Sequence, residues 1–346
     1  MFPALAIAAE LRRRDPSREM LFLGSERGLE TKLVPAAGFP LRTLRIGGLA
    51  GKSAAVRAAS SWRALRAVGQ CLALFLKRRP AAVIGVGGFA SGPAVLAALA
   101  LRVPTLIHEQ NAAPGMTNRW LAPFVDEVAV SFPGTEARFR RPCRVTGNPV
   151  REEFFRIAAY GGMRERLRLL VSGGSRGART LNLAAIASLG HLPDLKDRIS
   201  IVHQTGEADF ASVRDSYGCS GFDAEARPFL DDMPARLEAA DLAVTRAGAG
   251  TVFELAAAGR ASILVPYPFA AGGHQEQNAA YLASAGSALV VRDAELTGET
   301  LARLVREALA SPASLLSRAT AARALARPDA AGSLADLAER LMERSR

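Results

Sequence analysis

The sequence predicts an α/β protein of two halves, each a parallel sheet wrapped in helices, facing each other across a cleft. Three stretches predict it. An apolar run at 81–86 leads into the glycine turn G-G-F-A-S-G-P (87–93) and a helical pattern at 94–101. The run at 167–171 leads into S-G-G-S-R-G-A (172–178) and a helix from Arg179. Leu242 to Thr245 leads into R-A-G-A-G-T (246–251) and a helix over 252–258 that Gly259 can stop, before another buried run at 263–265. A strand, a glycine turn and a helix start together leave free N–H groups and the positive end of a helix dipole aimed at one point. That suits an anion, with ~0.3–1 kcal/mol from the dipole.

The remaining elements follow in order. Residues 2–11 read as a helix with Pro3 in its first turn, where a missing N–H is harmless. Such a helix should follow a strand and a phosphate-binding turn, so the chain is expected to open in mid-unit. Strands fit 20–24 and 41–46. G-G-L-A-G-K (47–52) has the wrong spacing for a P-loop. Over 56–79 a long helical pattern sets Trp62, Leu65, Leu72 and Phe75 near one face, with Arg57, Arg63, Arg66, Lys77, Arg78 and Arg79 around it. It reads either as a packed helix with a solvated basic face or as a membrane-surface patch. The uncharged stretch 81–101 approaches spanning length, but its G-G-F-A-S-G-P breaks it into strand, turn and helix.

A strand at 105–107 delivers His108-Glu-Gln-Asn111 to its C-terminal end, where open parallel sheets place ligands. Further strands fit 128–130 and 144–146, and G-N-P-V-R (147–151) marks a domain boundary, since Asn-Pro disfavours helix. In the second half, strands fit 199–203 and 226–228, and F-L-D-D-M (229–233) opens a helix with an aspartate near its cap. The domains are therefore expected at 1–148 and 149–330.

Two readings stand for Thr251 and Glu254: a ligand site, or a capping box that merely satisfies helix-end donors. After Pro268 a second glycine loop opens a helix whose first turn carries Gln275 and Asn278, three apart and so on one face. Neutral amides offer sugar hydroxyls both donors and acceptors. Together the two junctions point to a nucleotide sugar.

Composition bounds the rest. The 346 residues allow two domains, and 49% hydrophobic with 22% charged residues is ordinary for a globular enzyme. Cys71, Cys143 and Cys219 are too scattered for a disulfide framework or a zinc site, and a reducing compartment is expected. The net charge of +11 favours an anionic partner: a phosphate-rich ligand or an acidic membrane before nucleic acid, because no basic-aromatic interleaving is present. No secretory signal opens the chain, which is expected to be soluble or peripheral. A nicotinamide oxidoreductase is disfavoured by the absence of G-x-G-x-x-G with a downstream acid in either half.

The ordered set G-G-F-A-S-G-P, H-E-Q-N, G-N-P-V-R, G-G-S-R-G-A, F-L-D-D-M, R-A-G-A-G-T-V-F-E and H-Q-E-Q-N-A resembles the MurG family of bacterial N-acetylglucosaminyltransferases over nearly the whole chain. The resemblance implies a GT-B fold, with a C-terminal helix at 331–346 packing back on the first domain. It implies inverting transfer of N-acetylglucosamine from its UDP donor to the C4 hydroxyl of N-acetylmuramoyl(-pentapeptide)-diphospho-undecaprenol, without an obligatory metal or other cofactor. Donor binding would fall to Asn111, Arg151, Ser175, Leu230, Ala249, Gly250, Thr251, Val252, Phe253, Glu254, Gln275 and Asn278, and acceptor diphosphate to Gly87, Gly88, Ser91 and Gly92. A peripheral place on the cytoplasmic face of the plasma membrane, against its anionic surface, is implied too, near the cell-wall and division machinery and away from nucleic acid.

Two departures stand out. The family's glycine-rich loop ending in histidine, and the strand before it, should precede Phe2 and do not, so a sheet strand is expected to be missing. That histidine is the usual candidate for general base, which leaves Glu109 as the remaining carboxylate candidate. Arg176 replaces a frequent glutamine and adds charge beside the phosphate turn. Besides the transferase reading, two others stand: a GT-B enzyme acting on another glycolipid, and a donor-binding scaffold without turnover.

Overall fold

The structure, a computed structural model, describes residues 1–26, 28, 30–44, 54–88 and 90–344, with backbone alone for 54–61. The expected strand end at 45–46, the stretch 47–52, the Arg57 side chain and Phe89 lie outside the described residues. The chain divides into two compact units, Met1–Val150 with Asp329–Arg346, and Arg151–Pro328.

In the first unit β1 (Phe22–Ser25) pairs in parallel with β2 (Leu41–Leu44). A second parallel sheet runs β3 (Val83–Gly85), β4 (Thr105–Glu109), β5 (Glu127–Val130) and β6 (Arg144–Val145). Among the described residues β1 and β3 are not hydrogen-bonded to each other. One apolar cluster nevertheless serves both sheets: Leu23 and Leu44 join Val83 against Ala67, Cys71 and Phe75 of the helix Ala54–Lys77 and Ala94, Ala97 and Ala98 of the helix Ser91–Ala100. A second cluster sets Ile7 and Leu11 of the helix Phe2–Arg14 against Leu334, Leu337 and Leu341 of the helix Ala330–Glu343. Arg14 adds ion pairs to Asp336 at 2.6 Å and to Glu339 at 2.7 Å.

The second unit holds six parallel strands, β7 (Leu167–Ser172), β8 (Ile199–Gln204), β9 (Asp223–Arg227), β10 (Leu242–Thr245), β11 (Ala261–Leu264) and β12 (Ala288–Val290), in the order β12-β11-β10-β7-β8-β9. Helices cover both faces, which is why β10 and β11 are buried at every position and read as unbroken apolar runs. The chain works outward from β7 to β9, then returns to the other side of β7 with β10. The neighbours β7 and β10 therefore form a topological switch point, and the register pairs Ser172 with Thr245, so both strands end level.

Both units pin their strand starts with the same device. Asp126, just before β5, accepts from Thr105 N at 2.8 Å and Thr105 Oγ1 at 2.9 Å. Asp241, just before β10, accepts from Arg168 N at 2.7 Å and also holds the Arg168 guanidinium.

Two expectations are corrected. The helix Ala54–Lys77 buries Ala67, Cys71 and Phe75, at i, i+4, i+8, whereas Trp62 and Leu65 are each 62% exposed. The basic rim is partly engaged, since Arg78 pairs with Glu19 and Arg79 donates to the carbonyls of Leu101 and Arg102. Among the described residues no helix is long and apolar enough to cross a membrane.

Candidate active site

At the end of β7 the chain turns through Ser172–Ala178. Gly177 has φ +73°, and a Cβ there would lie 1.9 Å from the Thr205 carbonyl oxygen, so this turn packs backbone on backbone against the end of β8. Ser175 and Arg176 are left exposed at its tip. The helix Arg179–Leu189 follows, and among the described residues no side chain caps its N-terminus. Its Asn182 is buried and donates to Thr205 O at 2.9 Å and Asp209 Oδ2 at 2.8 Å, while His203 Nε2 meets Asn182 Oδ1 at 3.0 Å. Burial lowers the His203 pKa to about 4, so the ring is neutral, taking its second bond from the Tyr217 hydroxyl at 2.8 Å.

At the end of β10 the helix Ala249–Ala258 starts from Gly248, again without a side-chain cap, and Gly259 ends it in the left-handed region at φ +60°. The capping-box reading fails here, because Thr251 and Glu254 both lie inside the helix. Glu254 is half-buried; desolvation raises its carboxyl to about 6, opposed by the charge of Arg151. Arg151 opens the second unit with its guanidinium 5.0 Å from the Phe154 ring. The side chains of Ala249, Val252 and Phe253 are buried in the core, Phe253 against Tyr281, so of these three only the backbone can face a ligand; Gly250 and Thr251 are more open.

Leu230 is buried, and its N–H donates to Gln204 Oε1 at 2.9 Å, which leaves its carbonyl side for any base edge. The aspartate cap expected beside it is not made by the side chain: Asp232 instead accepts from Arg236 Nε at 2.8 Å. Gln275 and Asn278 share a helix face but not a role. Gln275 Oε1 accepts from Tyr267 N at 2.9 Å, whereas Asn278 is fully buried and donates to Ala247 O at 3.1 Å, pinning the turn before the Ala249–Ala258 helix. Sequence reasoning passed over Arg246. Its guanidinium donates to the carbonyls of Val265 (3.2 Å) and Pro266 (3.4 Å) and to Asp293.

In the first unit the turn after β3 carries Gly87 and Gly88 at φ +77° and +80°, and the next helix begins at Ser91, so Ser91 and Gly92 are helical and half-buried. Gln110 Nε2 holds this turn through Val86 O at 2.7 Å. β4 runs two residues beyond expectation, taking His108 and Glu109 into the sheet. His108 is fully buried between Ser131 Oγ (3.0 Å) and Gly147 O (3.2 Å), and burial lowers it to about 4. Glu109 is 2% exposed and accepts from Asn111 N (2.9 Å), Asn111 Nδ2 (3.3 Å), Gly115 N (2.9 Å) and Asn118 Nδ2 (2.8 Å). Both oxygens are turned inward to hold the 110–118 loop, an arrangement at odds with the base expected from the sequence. Asn111, half-buried, is presented by that loop.

Among the described residues no group of three or more His, Cys, Asp or Glu side chains could hold a metal ion. Two parallel-sheet units, the second with its switch point between β7 and β10, have the GT-B architecture, and the family models that match both make the chain a glycosyltransferase. The chain belongs to the MurG family: residues 1–130 match the glycosyltransferase family 28 N-terminal domain and 168–340 its C-terminal domain. It is 47% identical over 343 residues to the UDP-N-acetylglucosamine–N-acetylmuramyl-(pentapeptide) pyrophosphoryl-undecaprenol N-acetylglucosamine transferase of Solibacter usitatus, covering 98% of this chain and 92% of that one. To the enzyme of the same name from Anaeromyxobacter sp. strain K it is 43% identical over 349 residues, 99% of this chain and 90% of the other. The crystal structure of Acinetobacter baumannii MurG superposes with a TM-score of 0.78 at 31% identity, covering 98% of this chain and 95% of that one.

Proposed function

We propose that this chain transfers N-acetylglucosamine from UDP-N-acetylglucosamine to the C4 hydroxyl of undecaprenyl-diphosphate-linked N-acetylmuramoyl-pentapeptide, with inversion. The hydroxyl oxygen gives up its proton to water as it bonds to the anomeric carbon, the bond from that carbon to the β-phosphate oxygen breaks, and UDP leaves with the electron pair. The observation that carries the reading is the pair of helices that follow the level ends of β7 and β10, neither capped by a described side chain at its N-terminus, with Glu254 in the second of them feeling the charge of Arg151. Two dipole ends and a guanidinium favour the charge that grows on the diphosphate as it departs, and no step here needs a cofactor.

Ser175 and the backbone of Ala249, Gly250, Thr251, Val252 and Phe253 would serve the diphosphate; Glu254 would accept from ribose hydroxyls, the Leu230 carbonyl from the uracil N–H, and Gln275 and Asn111 would meet the sugar. Gly87, Gly88, Ser91 and Gly92 would hold the acceptor diphosphate. The purified chain, given labelled UDP-N-acetylglucosamine and the muramoyl lipid, should move label into lipid with release of UDP. Labelling of some other glycolipid alone, or binding without transfer, would overturn the proposal.

The acceptor is a lipid, and the first unit exposes large apolar side chains. Met116, Trp120 and Phe124 are 63%, 75% and 69% exposed around the short helix Met116–Leu121, with Arg119 beside them. Trp62 and Leu65, with Arg63 and Arg66, make a similar patch on the helix Ala54–Lys77. Apolar centres with basic rims suit peripheral docking on an anionic cytoplasmic leaflet. Replacing Trp120 and Phe124 by Ser should cut binding to anionic vesicles about tenfold or more with folding intact, since each aromatic contributes up to ~2 kcal/mol of burial; unchanged binding would sink the assignment.

A further inference from the structure

We infer that Asp293 is a positioning residue for the donor site, locking together the three loops that present it. The inference rests on the donor-site reading above. Asp293 lies just after β12, outside every turn assigned to the donor. One of its oxygens takes the Arg246 guanidinium, and the other accepts from Thr180 Oγ1 at 3.1 Å. Thr180 stands in the first turn of the helix Arg179–Leu189, whose N-terminus follows the Ser172–Ala178 turn. Arg246 stands in the turn that opens the Ala249–Ala258 helix, and it also holds the carbonyls of Val265 and Pro266. Its Cζ lies 5.6 Å from the Tyr267 ring, and the backbone N–H of Tyr267 donates to Gln275.

A single carboxylate thus ties the β7 turn, the β10 turn and the loop that steers Gln275. The pair is largely out of water, with the Arg246 and Asp293 side chains 11% and 19% exposed, so its geometry is set by the protein and not by solvent. The charge of Arg246 is spent inside the protein on Asp293 and the carbonyls of Val265 and Pro266, which makes it a holder of the two helix N-termini and not itself a ligand for phosphate. Donor binding would depend on Asp293 although Asp293 does not touch the donor.

The test is UDP binding by calorimetry, with steady-state kinetics, on the whole chain. Asp293→Ala should raise the Kd for UDP and the KM for UDP-N-acetylglucosamine by about tenfold, leaving the KM for the muramoyl lipid unchanged. Asp293→Asn, which keeps the Thr180 bond and loses the charge, should lie between, and provides the measurement if the alanine variant does not fold. Arg246→Ala combined with Asp293→Ala should cost little more than either alone, as expected of partners in one interaction. Unchanged UDP affinity with a lowered Tm would reduce Asp293 to sheet-edge stability and overturn the inference. Tighter UDP binding would overturn it too, by showing that Asp293 had been competing with phosphate for Arg246. If the wild-type chain bound no uridine nucleotide, the donor-site reading itself would fail, a result distinct from either.

Discussion

The two units apply one construction rule to different ends. Each starts its strands from an aspartate clamp, Asp126 in the first and Asp241 in the second, and each ends strands in glycine turns that open helices. They part at the C-terminal strand ends. In the second unit the backbone N–H groups there stay available, beneath exposed Ser175 and Gly250. In the first, the polar side chains fold back into the protein: His108 to Ser131 and Gly147, Glu109 to Asn111, Gly115 and Asn118. The sheets differ in the same sense. β7 sits between β8 and β10, whereas among the described residues nothing comparable stands between β1 and β3. The ends of β7 and β10 lead to exposed Ser175 and Gly250, whereas His108 and Glu109 brace the end of β4 from inside the protein.

The glycine turns give that comparison its hardest test. Gly177→Ala would place a Cβ 1.9 Å from Thr205 O at φ +73° and should cost about 4 kcal/mol, whereas Gly88→Ala, at φ +80° with none of the described residues within 4 Å, should cost about 1–2 kcal/mol. Similar losses in urea unfolding would mean that the two turns are equally braced. Next come the buried histidines, one in each unit. Both sit near 4 when folded against an ordinary 6.5, so the unfolded chain binds the extra protons, and stability present above pH 6.5 is lost as pH falls towards 4, by up to about 3 kcal/mol for each ring. His108→Gln and His203→Gln should each flatten the acid limb for one unit only; a limb unaltered by both would break the assignment.

Glu109→Gln separates strut from base. A strut loses acceptor strength to four donors, so stability should fall by about 2 kcal/mol with activity declining in proportion to loop order. Full stability with transfer abolished would restore Glu109 as a base. The smallest effect belongs to Glu254, whose folded value of about 6 lies above its ordinary 4.5. The folded state then holds the proton more tightly, so this carboxyl destabilises the fold as pH rises from about 4.5 through 6. Glu254→Gln should gain about 1 kcal/mol at pH 7.5 and nothing at pH 4, while weakening UDP binding. A loss of stability at pH 7.5 would contradict the desolvated site.

Much of this was readable beforehand because parallel strands buried on both faces leave plain apolar runs. Leu242–Thr245 was placed to the residue, and Gly259 stops its helix as its missing Cβ allows. His108 and Glu109 were read as loop because polarity usually marks strand ends, and only tertiary partners reveal that they finish β4. Trp62 and Leu65 read either as core or as a surface patch, since spacing along a helix shows that apolar residues share a face but not whether anything covers it, and the structure leaves both exposed. Asp293 and Arg246 lie 47 residues apart, and no local pattern announces their pairing. The glycine turns after β7 and β10 are local and therefore written in the sequence, whereas Ser175, Arg151 and Glu254 were singled out by the family resemblance of their motifs.

The return of Ala330–Glu343 to the helix Phe2–Arg14 makes the second unit an insertion within the first. On the ribosome, Ile7 and Leu11 emerge before the second unit and their partners Leu334, Leu337 and Leu341 after it, tens of seconds later at roughly 5–20 residues per second. The second unit can be finished while the nascent chain is still tethered. The first cannot, and for most of its synthesis it is the unit that a holdase chaperone would have to shelter.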